Sequence, residues 1–250
     1  MSAKHVVCLM PTCNRPDFAL HSYGRYRAQT YGRKTLLIVN SGERTEIGSD
    51  ADDVIEVLRE PHPAESGMEN FLQNLRHGVA VVRAEIPTAD VIAMWEDDDW
   101  YAPWRLEHQA ESIGDYAAHG YNFGHCYHLV WQQAAFFRPK DASYGATTML
   151  TVAKAASIIM TPDLMMWRHS LSDSGGLEDD EARVPFVNVK HGLGATASGM
   201  HGRYCWSKSW DGRDREWFRA VVGEDSFAFF DRKRDEALAK WTTYVEPICG

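Results

Sequence analysis

Four consecutive acids, Glu96, Asp97, Asp98 and Asp99, directly follow an apolar run over residues 91–95. Carboxylates crowded this closely repel one another unless a cation sits among them. Hard divalent cations take carboxylate and phosphate oxygens together, so the chemistry suggested is metal-assisted handling of phosphate. An isolated acid run is more often a solvated turn. Here a buried-strand pattern precedes it and Trp100-Tyr101-Ala102-Pro103 follows. Ligands of open α/β sheets gather outside the carboxyl ends of such strands.

Three further groups stand where they could meet the same ligand. Pro11-Thr12-Cys13-Asn14-Arg15-Pro16 closes the first apolar run. Thr12 and Asn14 offer short hydrogen-bonding side chains to a base or ribose, and Arg15 offers a two-pronged donor for phosphate. Alone, a Pro-x-x-Asn turn is a common way to end a strand. Asn40-Ser41-Gly42 closes the second run, as further base contacts or as a plain turn. Asn70, Asn74, Arg76 and His77 share the helix before the acids. Arg76 is the natural partner there for a diphosphate or for the acids, with a surface ion pair the plainer alternative.

The elements that must position these groups follow from periodicity. Residues 5–10, 35–40, 54–58 and 91–95 read as strands, and residues 17–30 and 69–83 as helices, the second with Phe71, Leu72, Leu75, Val79 and Val82 on one stripe. This β-α-β-β-α-β order predicts a largely parallel sheet with helices on both faces. A helix is expected from Trp104 to about Ala118, then strands over 123–132, 147–154 and 186–190. Residues 155–167 form an ambiguous apolar stretch, and 170–182 an acidic, Gly-containing loop or short helix. Residues 191–214 carry His191, His201, Arg203, Lys208 and Arg213 with little periodicity, which reads as a functional loop. Residues 225–241 predict a final charged helix. There are no repeats or low-complexity tracts.

Length and composition fit a single domain over residues 1–250. Apolar residues at 44% and charged residues at 24% are ordinary globular values. A formal charge of −9 gives no global basic field for nucleic acid or anionic membrane. The five cysteines, Cys8, Cys13, Cys126, Cys205 and Cys249, form no C-x-x-C pair, which argues against a disulfide scaffold or cysteine zinc site and suits a reducing cytoplasm. No signal-peptide pattern and no membrane-spanning run is seen, so a soluble protein is expected. Trp95, Trp100, Trp104, Trp206 and Trp210 lie near these polar groups; each is more readily a packing residue than a stacking platform.

Strand, Pro-Thr-x-Asn-Arg-Pro, helix, strand, Asn-x-Arg-x-Gly-Val at 74–79 and the Glu-Asp-Asp-Asp-Trp-Tyr-x-Pro run together resemble the family 2 glycosyltransferases of GT-A type. The resemblance covers roughly residues 5–108 in order and spacing. It implies an α/β, GT-A type fold: a Rossmann-like, mostly parallel sheet flanked by helices, with a smaller mixed C-terminal acceptor half. Residues 1–108 would be the nucleotide-sugar half, and 109–250 the acceptor half with a C-terminal loop and helix. By match, Asp97, Asp98 and Asp99 take the role of the Asp-x-Asp motif, which binds a divalent metal, Mn2+ or Mg2+, and the sugar-nucleotide diphosphate. Pro11, Thr12, Asn14 and Arg15 match positions lining the nucleotide, with Asn74 and Arg76 beside them. Asn40 stands where the family often has an Asp that contacts the base, which leaves the base open. Gly176-Leu177-Glu178-Asp179-Asp180 matches the element carrying the general base, with Asp179 or Asp180 in that role; an exposed acidic helix start is the competing reading. In the Gly-rich segment, His201 or His191 would reach the metal, and Arg203, with Lys208 and Arg213, the pyrophosphate.

The activity implied is metal-dependent, inverting transfer of a sugar from a nucleoside-diphosphate donor to an acceptor hydroxyl. The acceptor stays open among saccharide, protein, small molecule and modified DNA base, the last as in viral sugar transferases. Against this stand a nucleotidyltransferase on a related sheet, whose usual Gly-rich phosphate loop is missing here, and a non-catalytic nucleotide-sugar or carbohydrate-binding module.

Overall fold

The apolar runs become the strands of a mostly parallel sheet. The computed structural model describes residues 3–48, 50–63, 65–138, 145–158, 183–193 and 210–241. In chain order the first half comprises β1 (Val6–Thr12), α1 (Pro16–Arg27), β2 (Lys34–Asn40), β3 (Val54–Leu58), α2 (Gly67–Glu85) and β4 (Val91–Met94). It continues with β5 (Trp100–Tyr101), α3 (Arg105–Ser112), β6 (Ala118–His119), β7 (Gly124–His128) and β8 (Gln133–Phe137). After a 3-10 turn at Gly145–Thr147 come β9 (Met149–Thr151), α4 (Val152–Ile158), β10 (Phe186–Lys190), β11 (Trp210–Asp214), α5 (Arg215–Val222) and α6 (Glu224–Trp241).

The first sheet has the order β3-β2-β1-β4-β9-β6. β1 pairs in parallel with β2 and with β4, β2 in parallel with β3, and β9 joins antiparallel to β4 and β6. Alternate residues of each strand feed opposite faces, as strand geometry requires. Val6, Cys8, Met10, Leu36 and Ile38 pack with Ala19 and Tyr26 of α1 and Leu106 of α3. Val7, Leu9, Leu37 and Val39 pack with Leu75, Val79 and Val82 of α2 and Ala155 of α4. Gly78 allows that second packing: a Cβ there would lie 2.3 Å from Leu9 Cδ1 and 3.0 Å from Val39 Cγ2. Because α1 and α2 cover opposite faces, the connections diverge between β1 and β4. That divergence is the crevice where open α/β sheets hold ligands.

The second sheet has the order β11-β8-β7-β10-β5 and is mixed: β10 runs parallel to β7, and its other pairings are antiparallel. Trp100, Tyr127, Val187 and Val189 pack under Phe218 and Val222 of α5 and Phe227 and Phe230 of α6, with Phe18 from α1. Tyr127 and Phe218 stack at 3.9 Å between ring centroids. The α/β expectation and the parallel first half therefore hold.

Two expected second-half elements hold, the strand at 186–190 as β10 and the helix at 225–241 as α6, and the others are displaced for local reasons. The strand expected over 123–132 stops at His128, and the chain reverses through Gln132, whose φ is 54°, into β8. The helix expected to reach Ala118 ends at Ser112, before Gly114 at φ 48°. The strand expected over 147–154 gives way to α4 because Thr151 Oγ1 accepts from Lys154 N as an N-cap, and good helix formers follow. The ambiguous 155–167 stretch falls partly in α4; the rest, with all of 170–182, lies outside the described residues. The end of the 191–214 segment is β11, and the unforeseen α5 starts where Asp214 accepts from Glu216 N and Trp217 N. Among the described residues no helix is long and apolar enough to cross a membrane. Cys8, Cys13 and Cys126 are free thiols, while Cys205 and Cys249 lie outside the described residues.

Candidate functional site

The acid run spans the gap between the two sheets. β4 runs between β1 and β9 in the first sheet, and just past its end Trp95 N donates to Leu9 O at 3.1 Å. β5 then enters the second sheet, pairing with β10. The four acids between them are pulled in different directions. Glu96 N donates to the Tyr101 hydroxyl at 2.7 Å, and Glu96 O accepts from Ser22 at 3.3 Å. Asp97 turns to the first sheet and accepts from Thr12 Oγ1 at 2.7 Å. Asp99 turns to the second, where Asn188 Nδ2 and Val189 N donate to it. Arg15 bridges the middle, 2.5 Å from Asp97 and 2.8 Å from Asp98. Beneath the turn, fully buried Arg105 holds Met94 O at 3.0 Å and lies 4.4 Å from the Tyr101 ring centroid, bracing the strand end.

The electrostatics follow from burial. Asp97 and Asp99 are 1% and 0% exposed. Burial and then the Asp98 charge push the Glu96 carboxyl up to about 7. Burial likewise raises Asp97 to about 7, against the pull of Arg15. Burial, then Glu96 and Asp98, hold Asp99 well above the usual carboxylate range. At Asp98 burial acts upward too, but Arg15 and the His191 hydrogen bond outweigh it and hold the carboxyl below that range. Lys190, at the end of β10, adds a second cation that acts on Glu96, Asp98 and Asp99, yet Glu96, Asp97 and Asp99 stay raised, so the knot is short of positive charge even with Arg15 and Lys190 in place.

A divalent metal fits that deficit. Glu96, Asp98 and Asp99 each present an oxygen, all within 4.8 Å of one another. An all-oxygen, multiply anionic set suits Mg2+ or Mn2+ rather than a softer ion. The grouping differs from the expected Asp97, Asp98 and Asp99: Glu96 joins and Asp97 turns away, because Thr12 and Arg15 hold Asp97 against β1. His191, just after β10, is also near. Leu193 N donates to its Nδ1 at 2.9 Å, so in the neutral ring the proton sits on Nε2, which donates to Asp98 at 3.1 Å. His191 therefore orients Asp98 and offers no lone pair to a metal in this arrangement. His201 lies outside the described residues.

A pocket opens from the acids along the ends of β1 and α2. Pro11, Thr12, Cys13 and Arg15 form one wall; Gly67, Asn70, Phe71 and Asn74 form another; Glu96, Asp97 and Asp98 close the end. The α2 residues recur at helical spacing, so one stripe of that helix faces the pocket. Arg76, half-buried, sits two residues beyond Asn74 on another face of α2 and is not brought to the pocket. Asn14 and Asn40 serve the turns. Asn14, at φ 52°, accepts from Glu43 N at 3.2 Å, and Asn40 donates to Glu56 at 2.9 Å and to Glu43 O at 2.6 Å. Asp179, Asp180 and Arg203 lie outside the described residues, as does Lys208.

Arg59, absent from the sequence reading, organises the α2 wall. It donates to Asn74 Oδ1 at 2.7 Å, to Asn70 Oδ1 and to Glu65, while Asn70 and Asn74 both donate to Ser41 Oγ. The available signal was a lone arginine directly after β3. Asn188 was also missed; an asparagine within an apolar strand pattern was its only trace.

No family model matches the chain, and no curated protein matches it. Among solved structures it is similar to a mannosyltransferase of Pyrobaculum calidifontis in complex with GDP-Man and Mn2+, at 11% identity and a TM-score of 0.45, over 99% of this chain and 77% of that one. It is also similar to TarS (1–349) of S. aureus in complex with UDP-GlcNAc, at 12% identity and a TM-score of 0.48, over 96% of this chain and 73% of that one. At such identities and TM-scores, function has to be argued from the chain's own residues.

Proposed function

We propose that this protein is a divalent-metal-dependent glycosyltransferase that moves a sugar from a nucleoside-diphosphate donor to an acceptor hydroxyl with inversion. The observation that carries the reading is the Glu96, Asp98 and Asp99 oxygen cluster, of which Glu96 and Asp98 close the end of a pocket walled by Thr12, Arg15 and Asn74. Such a pocket offers short polar contacts for a nucleoside, a guanidinium for phosphate, and carboxylates for a metal in one line. When bound, the metal would neutralise charge on the departing diphosphate, so the leaving group needs no proton. Arg15 contributes a fixed cation beside the same phosphates. Asn14, which accepts from Glu43 N across the two turns, and Asn40, which donates to Glu43 O within its own turn, hold the pocket rim in place before donor arrives.

The acceptor hydroxyl forms its bond to the anomeric carbon as the bond to the diphosphate oxygen breaks. Its proton passes to a carboxylate, for which the sequence resemblance nominates Asp179 or Asp180. The acceptor class stays open. The test is a panel of nucleotide sugars with Mn2+ or Mg2+, scored by thermal shift, donor hydrolysis and the anomeric configuration of product. It is run on wild type, Asp98→Asn, Asp179→Asn and Asp180→Asn. Wild type should respond to a nucleotide only with metal, Asp98→Asn should lose that response, and one of the other two variants should bind donor without turnover. No metal-dependent nucleotide response in wild type would sink the reading; transfer surviving in both Asp179→Asn and Asp180→Asn would sink the base assignment.

A further inference from the structure

Asp99 is fully buried, and its carboxylate faces β10 of the other sheet. Asn188 Nδ2 lies 2.9 Å from Oδ1 and 2.9 Å from Oδ2, and Val189 N donates to Oδ1 at 3.0 Å. Both Asp99 oxygens are acceptors, so the amide nitrogen is the end of Asn188 turned toward them. The opposite end is fixed as well: the Cys126 thiol donates to Asn188 Oδ1 at 3.7 Å. Strand register produces this contact. Val187 pairs with Trp100, the neighbour of Asp99, and Asn188 pairs with Cys126 across the parallel β10–β7 ladder. Asn188 is 4% exposed, and a buried amide is costly unless both ends are used. Here both are. Among the described residues Oδ1 accepts two of these bonds and Oδ2 one, which leaves Oδ2 with room for a cation. Glu96 and Asp98 present their oxygens within 4.8 Å of that carboxylate.

We infer that Asn188 is a positioning residue for the metal centre, holding Asp99 from the second sheet so that its less occupied oxygen meets a divalent cation beside Glu96 and Asp98. The role presupposes the metal of the proposed function and makes the centre a joint product of both sheets. Asn188 never touches the reacting atoms; it acts through Asp99. Partners that orient metal ligands typically account for tenfold to hundredfold in metal affinity.

Mn2+ alone, titrated by calorimetry into wild type, Asn188→Ala, Asn188→Thr, Asp99→Asn and the Asn188→Ala/Asp99→Asn double variant, tests this. Asn188→Thr keeps the volume and suits a strand but replaces the two-hydrogen amide with a single, shorter hydroxyl donor that cannot serve both Asp99 oxygens, so it covers a folding failure of Asn188→Ala. Metal-free melting in EDTA is measured alongside. Expected are a tenfold or greater loss of Mn2+ affinity in both Asn188 variants, a loss in Asp99→Asn, and no further loss in the double variant. Unchanged affinity in the Asn188 variants or in Asp99→Asn would overturn the positioning role and leave the transferase reading standing. So would an Asn188→Ala loss that persists in the Asp99→Asn background, or a metal-free fold lost in both Asn188 variants. A wild type that binds no Mn2+, with or without a nucleoside diphosphate, would overturn both.

Discussion

A guanidinium bridging Asp97 and Asp98 already supplies part of what a divalent ion would supply to this knot. Removing one partner of a buried pair leaves an uncompensated charge, which costs about 3–5 kcal/mol. Arg15 keeps 23% of its side chain exposed, so Arg15→Gln should fall at the low end, about 3 kcal/mol by urea unfolding in EDTA at pH 8. Mn2+ should then restore more stability to the variant than it adds to wild type. A loss below about 1 kcal/mol, the range of exposed pairs, would mean the bridge is solvated in practice. The residues legible in advance were those of distinctive type at strand ends, namely Thr12, Arg15 and the acids, together with Asn74 on the pocket-facing stripe of α2. Which acid faces which sheet was not legible, because four adjacent carboxyls differ only by the turn that carries them. Asn188 and Arg59 escaped for another reason: each meets its partner through sheet register or a loop, not through a local motif.

The elements around the pocket are locked to one another at their ends. A Cβ on Gly42 would lie 2.3 Å from Asn14 Oδ1 and 2.6 Å from Asn14 N, so the turn after β2 sits directly against the turn after β1. The second contact is with backbone, which cannot rotate aside as a side-chain tip can. Gly42→Ala should therefore displace Asn14 and with it the Pro11–Cys13 wall. We expect roughly tenfold weaker binding of nucleoside diphosphate, about 1.4 kcal/mol, with little change in melting temperature because both turns cap the sheet without filling its core. Equal affinities by calorimetry would show that the rim does not depend on this contact. The strands and helices up to β4 could be read from apolar runs bounded by Pro, Gly and Asn. Beyond β4 the strand at 186–190 and the last helix were legible too, but β5 at Trp100–Tyr101 and β6 at Ala118–His119 are too short for any period to register, and their pairing is set by distant partners. Element type in that half came from caps such as Thr151 and Asp214, single residues whose effect on the chain is local.

At the scale of the whole molecule, an acidic chain of net charge −9 concentrates its least comfortable carboxyls where its two sheets meet. This makes the junction's contribution to stability respond to pH in a direction opposite to the usual acid denaturation. Glu96 and Asp97 are pushed up to about 7, against ordinary values of ~4. A group raised in the folded state binds its proton more tightly when folded, so its contribution is complete below the ordinary value and is lost as pH rises through about 7. Asp98, held low, has the reverse sign, but its contribution is lost only as pH falls below ~4, outside that window. Over about pH 4 to pH 7 the junction's share of stability should accordingly fall, while buried His21 and His119, lowered to about 3 and about 4 by desolvation, act with the opposite sign, so the junction is read from the metal-dependent difference. A divalent cation favours the ionised carboxyls and stabilises the folded state by mass action, so its effect should grow over the same interval. The melting-temperature gap between Mn2+ and EDTA samples, followed by calorimetry, should be small at pH 5 and widest near pH 8. The gap should collapse at every pH in Asp98→Asn. A gap that does not change with pH in wild type would mean that Mn2+ binds somewhere other than this junction, and that the buried carboxyls are neutralised by the protein alone.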